Sequence, residues 1–398
     1  FIRTDGAVRV NASNLELILR TDQAVFGQIQ NGSGTFELDA TGLAGAFEVS
    51  SFSLSVPNVE IVTETIRVEL NTRSAAVVGD FNLGSGPENI TLAAGPYLRL
   101  AILNSSLTLD DVGAAELRGS FFLEQTGGTT RMAMSEVTVA VDIDGQEASM
   151  KNGTGALIMT PRGVAGTLSG DLGVSAGGLE AGGTLIIRIN NTGDVVDESI
   201  ELDGSIIRIS FGADEGHLFA VSLANASINI GNILTLEGSL TFVDRGNGLE
   251  VAAGVGLTVF IGEGPATLAD GSTNPLAKGL LLTDASVGLV RITNGTLTQY
   301  AIDAQGSVSV IGIDGVTLSG TIRTRVNTTG QAMEETITIA GTSQTRTVVF
   351  GSAEVAGADG SPYALISGLG MQIEALGQTF AADLVVERRF RDINGTPF

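Results

Sequence analysis

Apolar and polar residues alternate with period two along most of the chain. Leu15-Glu16-Leu17-Ile18-Leu19, Phe52-Ser53-Leu54-Ser55-Val56 and Val137-Thr138-Val139-Ala140-Val141 show the pattern, as do Ser307-Val308-Ser309-Val310 and Glu335-Thr336-Ile337-Thr338-Ile339. Side chains two apart share one face of a strand, so each segment offers an apolar face and a Thr/Ser face. Turn signals recur about every 8–12 residues. No helix longer than two turns is expected. The pattern predicts an all-β chain, an antiparallel meander of roughly ten strands per repeat.

Three anchors recur in the same order. The first is Asn31-Gly32-Ser33-Gly34, Asn152-Gly153-Thr154-Gly155 and Asn294-Gly295-Thr296. Asn-Gly suits a two-residue hairpin turn, whose central residues need positive φ. Further turns are expected at Gly42-Leu43-Ala44-Gly45 and Gly163-Val164-Ala165-Gly166. The second anchor is a strand ending in Asn: Arg67 to Thr72, Ile187 to Thr192 and Arg323 to Thr328. The third is Leu117-Arg118-Gly119-Ser120-Phe121, Leu236-Glu237-Gly238-Ser239-Leu240 and the weaker Phe380-Ala381-Ala382-Asp383-Leu384. The repeat step is about 120 residues, then about 140. The expected modules are residues 1–122, 123–244 and 245–390, the last with a surface loop insertion at 262–280, followed by a tail at 391–398. The pattern leaves open whether each repeat closes as a sandwich or barrel or the strands run on as one continuous elongated sheet; three tandem β-sandwich or barrel-like modules in an elongated rod are the favoured architecture.

Phe1-Ile2-Arg3-Thr4-Asp5-Gly6 resembles Phe122 to Gly127, and the chain stops just after Leu384-Val385-Val386-Glu387. It therefore begins and ends at one phase of the repeat. Either it is a window on a longer covalent array, or subunits join end to end through junctions that imitate internal ones.

Composition narrows the function. The chain has 54 glycines among 398 residues, no Cys, no Trp and a formal charge of −23. Such a field repels phosphate backbones and anionic lipid, so nucleic acid is not an expected partner. Membrane insertion is not expected either: three tyrosines and no tryptophan supply no aromatic girdles for an outer-membrane barrel. Without Cys there is no disulfide framework and no thiol chemistry. His217 is the sole histidine, and one His beside a turn is a poor basis for a catalytic triad. Sugar cleavage by paired carboxylates would lack its usual aromatic platform. No enzyme and no resident cofactor are expected.

Two site candidates remain. Asp142, Asp144 and Glu147 alternate around Gly145, as oxygen ligands do in calcium loops; the competing reading is an ordinary Asp-Gly hairpin. Ten of nineteen asparagines stand in Asn-X-Ser/Thr, a glycan acceptor pattern that belongs on an outer surface. Asn11, Asn89, Asn104, Asn190, Asn225 and Asn327 are the acceptor candidates, while Asn31, Asn152 and Asn294 are explained by the repeated turn.

The runs GLAGAFEVSSFSLSVPNVEI, GVAGTLSG, GVTLSGTIRTRVNTTG and ETITIAG resemble the tandem units of very large bacterial surface and adhesin-like proteins. The resemblance covers essentially the whole chain and rests on turn-and-strand patterns. It implies an extracellular or cell-surface, array-forming structural role and supplies no catalytic residues. The expected function is the protomer of an extracellular filament, joined head to tail to copies of itself by strand pairing at residues 1–20 and 380–390. The alternative is the stalk of a large adhesin.

Overall fold

The computed structural model describes all residues except 1, 5, 21–24, 57–58, 85, 110–114, 144–145, 203–204, 231–232, 269–271, 273, 356–361 and 389–398. Side chains at 2–4, 17–20, 25–27, 29, 51, 53–56, 59–61, 107–109, 115–116, 141–143 and 146 are also outside the description. Among the described residues every regular element is a strand. The chain divides into two compact units, Phe1–Asp171 with Ile189–Gly216, and Leu172–Arg188 with His217–Phe398. The range 123–244 is thus shared between them, whereas 1–122 lies in the first unit and 245–390 in the second.

In the first unit, β1 (Ile2–Thr4), β2 (Ala7–Arg20), β3 (Val25–Asp39), β4 (Gly42–Val49), β5 (Ser51–Val56) and β6 (Val59–Asn71) lead into a hairpin, β7 (Val77–Asn82) and β8 (Pro87–Leu92). The meander resumes with β9 (Tyr97–Leu109), β10 (Ala115–Thr126), β11 (Thr129–Ile143) and β12 (Gln146–Thr160). β4 and β5 are two halves of one position, since both pair with β3 and β6. Next come β13 (Gly163–Ala176) and β14 (Leu179–Asn190), which have residues in both units, and a second hairpin in the first unit, β15 (Val196–Leu202) and β16 (Ser205–Phe211).

The second unit holds β17 (Leu218–Ile230), β18 (Leu234–Asp244), β19 (Leu249–Glu263), β20 (Lys278–Asn294), β21 (Leu297–Ile311) and β22 (Val316–Asn327). A third hairpin follows, β23 (Met333–Thr338) and β24 (Thr345–Phe350), and then β25 (Tyr363–Ala375) and β26 (Gln378–Arg388). In each unit the long strands form one large antiparallel sheet, and each hairpin is a separate two-stranded sheet.

The repeat is therefore six long strand positions and one hairpin, inserted after the fourth, rather than ten short strands. Among the described residues the second layer consists of these hairpins alone. Hairpin β7–β8 lies on β3, β4 and β6; β15–β16 lies on β10, β11 and β12; β23–β24 lies on β19, β20 and β21. The sheet offers small side chains there, so the hairpins seat closely. Ala44 and Ala46 are fully buried beneath Phe81 and Leu92 in the first unit, and Val290 and Ala301 beneath Ile337, Val348 and Phe350 in the second. Each such large apolar side chain contributes about 1.5–3 kcal/mol.

The Asn-Gly expectation is corrected at two places and shifted by one residue at the third. Asn31 (φ 55) and Asn152 (φ 53) lie inside β3 and β12, not in hairpin turns. They sit at β-bulges, where Leu15 faces Gly32 and Val137 faces Gly153 across a shift in register. A bulge residue in the left-handed region needs the same backbone freedom as a turn residue, so the two share a sequence signature. At the third place the two-residue turn from β20 to β21 is Gly295-Thr296, with Asn294 the last paired residue of β20, and the true counterpart of Asn31 is Asp284 (φ 50). Gly42 and Gly163 open β4 and β13 rather than forming turns.

Bulges continue along other strands of each sheet and are braced alike. Ser120 Oγ accepts from the Asn104 amide (3.3 Å), Ser239 Oγ from the Asn225 amide (3.1 Å), and Asp383 Oδ1 from the Gly370 amide (2.6 Å). The donors share φ values of 50, 50 and 60°.

The insertion is shorter than 262–280, because β19 runs to Glu263 and β20 starts at Lys278. It is not wholly superficial: Ala266 and Ala277 are buried against Phe260. Gly248, at φ +75°, admits no side chain, since a Cβ there would lie 2.2 Å from the Thr293 carbonyl oxygen. Gly248→Ala is expected to cost about 2–3 kcal/mol, read as a lower urea midpoint at an unchanged m-value.

Candidate functional site

The strand-end asparagines are the most repeated side-chain feature. Asn71, Asn190 and Asn327 are each 0% exposed. Each closes the last strand before a hairpin; Asn71 and Asn327 tie the hairpin's two ends, and Asn190 ties the near end. Asn71 Nδ2 donates to Ala75 O (2.9 Å) and Ala93 O (2.7 Å); Asn327 Nδ2 donates to Gln331 O (3.0 Å) and Glu354 O (2.8 Å). Asn190 Nδ2 donates to Asp194 O at 2.9 Å. The Oδ1 atoms accept from the amides of Arg73, Thr192 and Thr329. The next residue ties back to the sheet: the amides of Leu43, Val164 and Tyr300 donate to Thr72 Oγ1, Asn191 Oδ1 and Thr328 Oγ1.

This placement removes Asn190 and Asn327 from the glycan candidates. A glycan on Nδ2 would displace buried hydrogen bonds. The downstream threonine has a structural use as well, since Thr192 Oγ1 and Thr329 Oγ1 donate to Oδ1 of Asn190 and Asn327 at 2.8 and 2.7 Å. Asn11, Asn89, Asn104 and Asn225 are exposed. Asn89 and Asn104 donate to Asp80 and Glu64, and Asn11 accepts from Thr35.

Of the calcium candidates, Asp144 and the Asp142 side chain lie outside the described residues. Glu147 is exposed, and the backbone register sets it opposite Asp142 across the β11–β12 hairpin. Among the described residues no group of three or more His, Asp or Glu is placed to hold a metal. His217 is exposed and opens the longer segment of the second unit.

The first unit carries a ladder of charges that the sequence pattern did not disclose. Glu69, Arg99, Glu124 and Arg131 occupy directly opposed positions on β6, β9, β10 and β11. Arg99 bridges Glu69 (3.1 Å) and Glu124 (2.8 Å), while Arg131 reaches Glu124 (3.6 Å) and Glu198 on hairpin β15–β16 (3.3 Å). Arg67 joins Glu69 (2.9 Å) to Glu88 on hairpin β7–β8 (3.5 Å). The ladder thus links two hairpins across four strands. Burial works against the Arg99 charge, but Glu124 and Glu69 outweigh it and raise its pKa. A cleft of about 500 Å³ opens beside it, floored by Arg67, Arg99, Phe122 and Arg131 and walled by Ser199–Leu202. Its charges pair with one another, an arrangement that fixes the hairpins in place. The missed signal was Arg or Glu at alternate strand positions, which becomes informative only once the register is known.

The second unit has a more deeply buried counterpart. Asp303, 3% exposed, is held by Arg323 at 3.0 and 2.8 Å, with Arg346 at 3.4 Å and Arg325 at 3.7 Å. Arg325 donates to Glu354 and to the Val349 carbonyl, and its guanidinium lies 4.5 Å from the Phe350 ring centre.

Among the described residues β26 has no such cover. All eleven of its residues are exposed, including Phe380 (67%), Leu384 (58%), Val385 (57%) and Val386 (59%), and among the described residues it pairs only with β25.

No protein-family model matches the chain, and no curated protein matches it. Among the described residues no helix is long and apolar enough to cross a membrane.

Proposed function

We propose that the chain is a structural protomer of an extracellular filament or surface fibre, joined to copies of itself through β-strand pairing. The exposed edge of β26 carries this reading. An uncovered edge strand presents a row of unpaired N–H and C=O groups, and an eleven-residue one bearing Phe, Leu and Val is a template for another strand. Matching but distinct edges give a heterologous contact, which propagates. The acidic charge sets the conditions: chains of −23 repel one another, so assembly should rise with salt as screening shortens the repulsion. Negative-stain microscopy across a salt series tests this. Fibres with a regular axial repeat support the protomer. Monodisperse single particles at every salt concentration would overturn it in favour of the second reading, an adhesin stalk, which the threefold repeat equally suits. Calcium-dependent melting would support a stiffening ion near Glu147.

A further inference from the structure

We infer that β26 pairs with β2 of a second copy of this chain in one defined register, with Val386 opposite Val10, Leu384 opposite Ala12 and Ala381 opposite Glu16. This inference rests on the strand-pairing reading above and specifies its geometry. β26 is the last long strand of its repeat, as β10 and β18 are of theirs. It shares their bulge, with Asp383 in the place of Ser120 and Ser239. β2 is the first strand of its repeat, as β11 and β19 are, with its bulge between Ala12 and Leu15 where theirs fall between Met134 and Val137 and between Gly254 and Leu257.

The chain makes this last-to-first pairing twice internally, in one register. Phe121 faces Met134 and Leu240 faces Gly254; Leu123 faces Met132 and Phe242 faces Ala252; Arg118 faces Thr138 and Glu237 faces Thr258. Transferring each pair to β26 and β2 gives the same partners from both junctions. β1 occupies the edge of β2 opposite residues 7–9, leaving the edge from Val10 onward unpaired among the described residues, so the new pairing ends at Val386–Val10 and Glu387 and Arg388 would turn out of the sheet. Two exposed apolar side chains, Val386 (59%) and Val10 (42%), then meet.

The hairpins supply independent support. At the β10–β11 junction the next repeat's hairpin, β15–β16, covers Phe122, which is 7% exposed. At the β18–β19 junction Thr241 holds the same place and is 5% exposed. The equivalent residue of β26 is Val385, 57% exposed. In the second copy, hairpin β7–β8 stands beside β2, with the Arg9 guanidinium 5.9 Å from the Phe81 ring centre. Val385 would pass beneath that hairpin.

The chain contains no cysteine, so Val386→Cys and Val10→Cys can be made as separate single-cysteine chains and mixed. A short bifunctional thiol reagent should join them with a yield on the order of tenfold above Val386→Cys mixed with Asn14→Cys, because opposed residues lie near 5 Å and a four-residue offset does not. Sedimentation of the untreated mixture reports assembly independently. Assembly with crosslinking in the Asn14→Cys mixture instead, or in neither mixture, would overturn the register while leaving strand-paired assembly standing. No assembly would overturn both. Crosslinking only within a chain carrying both cysteines, at high dilution, would show the edges closing on one molecule and overturn the second copy.

Discussion

Asn327→Ala should lower stability by about 3 kcal/mol, and Asn71→Ala by a similar amount, although neither residue touches a ligand or a charge. Asn71→Ala removes the Asn71 side-chain bonds from two half-buried carbonyls and the buried Arg73 amide; Asn327→Ala does the same to the Glu354 carbonyl and the buried Thr329 amide, while the Gln331 carbonyl keeps Thr329 Oγ1 at 3.3 Å, and an unsatisfied buried group costs about 1–3 kcal/mol. The loss is local in origin. The carbonyls of Ala75 and Ala93 stand at the two ends of hairpin β7–β8, and those of Gln331 and Glu354 at the two ends of β23–β24. The hairpin should loosen before its sheet does, which hydrogen exchange at Val77–Leu92 or Met333–Phe350 would show. Asn327→Asp is the more informative variant. It keeps the oxygen that accepts from Thr329 but turns a second oxygen toward the Gln331 and Glu354 carbonyls. At neutral pH it should be worse than alanine, and it should recover in part at acid pH once the carboxyl can donate. Asn89→Ala, at an exposed position, should stay within about 0.5 kcal/mol of the parent. Equal urea midpoints for Asn327→Ala and Asn89→Ala would refute the bracing role.

The sheet class was legible because period-two alternation has few other causes. The repeat was legible because its anchors are backbone devices, and such devices restrict residue type. Asn71, Asn190 and Asn327 are asparagines because one side chain must both donate to carbonyls and accept from an amide. That requirement also explains part of the excess of Asn-X-Thr: Thr192 and Thr329 bond Oδ1 of the asparagine two residues earlier. The local pattern reads as a glycan acceptor when burial is unknown. The Asn-Gly pairs misled in the same way, since Asn31 and Asn152 satisfy a positive-φ demand that a bulge and a turn share. Sandwich or barrel-like modules were favoured over a continuous sheet because alternation shows that one face is covered, not by how much. Here short hairpins provide the cover, and among the described residues β26 has none. The Glu69–Arg99–Glu124–Arg131 ladder was out of reach, because its members lie on separate strands and meet only through register.

Arg325→Met should cost about 3–5 kcal/mol, more than any single rung of the first unit's ladder, because Arg325 is 8% exposed and its loss takes a cation from buried Asp303 and half-buried Glu354. Methionine can keep contact with Phe350 and Tyr363, so the cost reports the polar contacts to Glu354 and the Val349 carbonyl. The pH profile should change with it. Burial pushes the Glu354 carboxyl up, but the Arg325 hydrogen bond and the Gly351 amide outweigh burial and leave its pKa below the usual 4.5. A depressed carboxyl contributes stability that is present above its unfolded value and lost as pH falls through the folded one. That acid limb should flatten in Arg325→Met. At the other end, burial first and the Glu387 hydrogen bond second push the Tyr363 hydroxyl from 10.0 up to about 12. Tyr97 is also pushed up to about 12, by burial and then by Glu69. A raised tyrosine favours the fold while neutral, so this stability is complete below pH 10 and lost as pH climbs from 10 toward 12. Arg325 holds the Tyr363 value down, so removing it should delay tyrosinate formation while the fold persists. Tyrosinate absorbance followed alongside denaturant midpoints separates the effects. An acid limb that keeps its slope in Arg325→Met, with tyrosinate forming no later than in the parent, would show that the Asp303–Arg325–Glu354 cluster does not act as a unit.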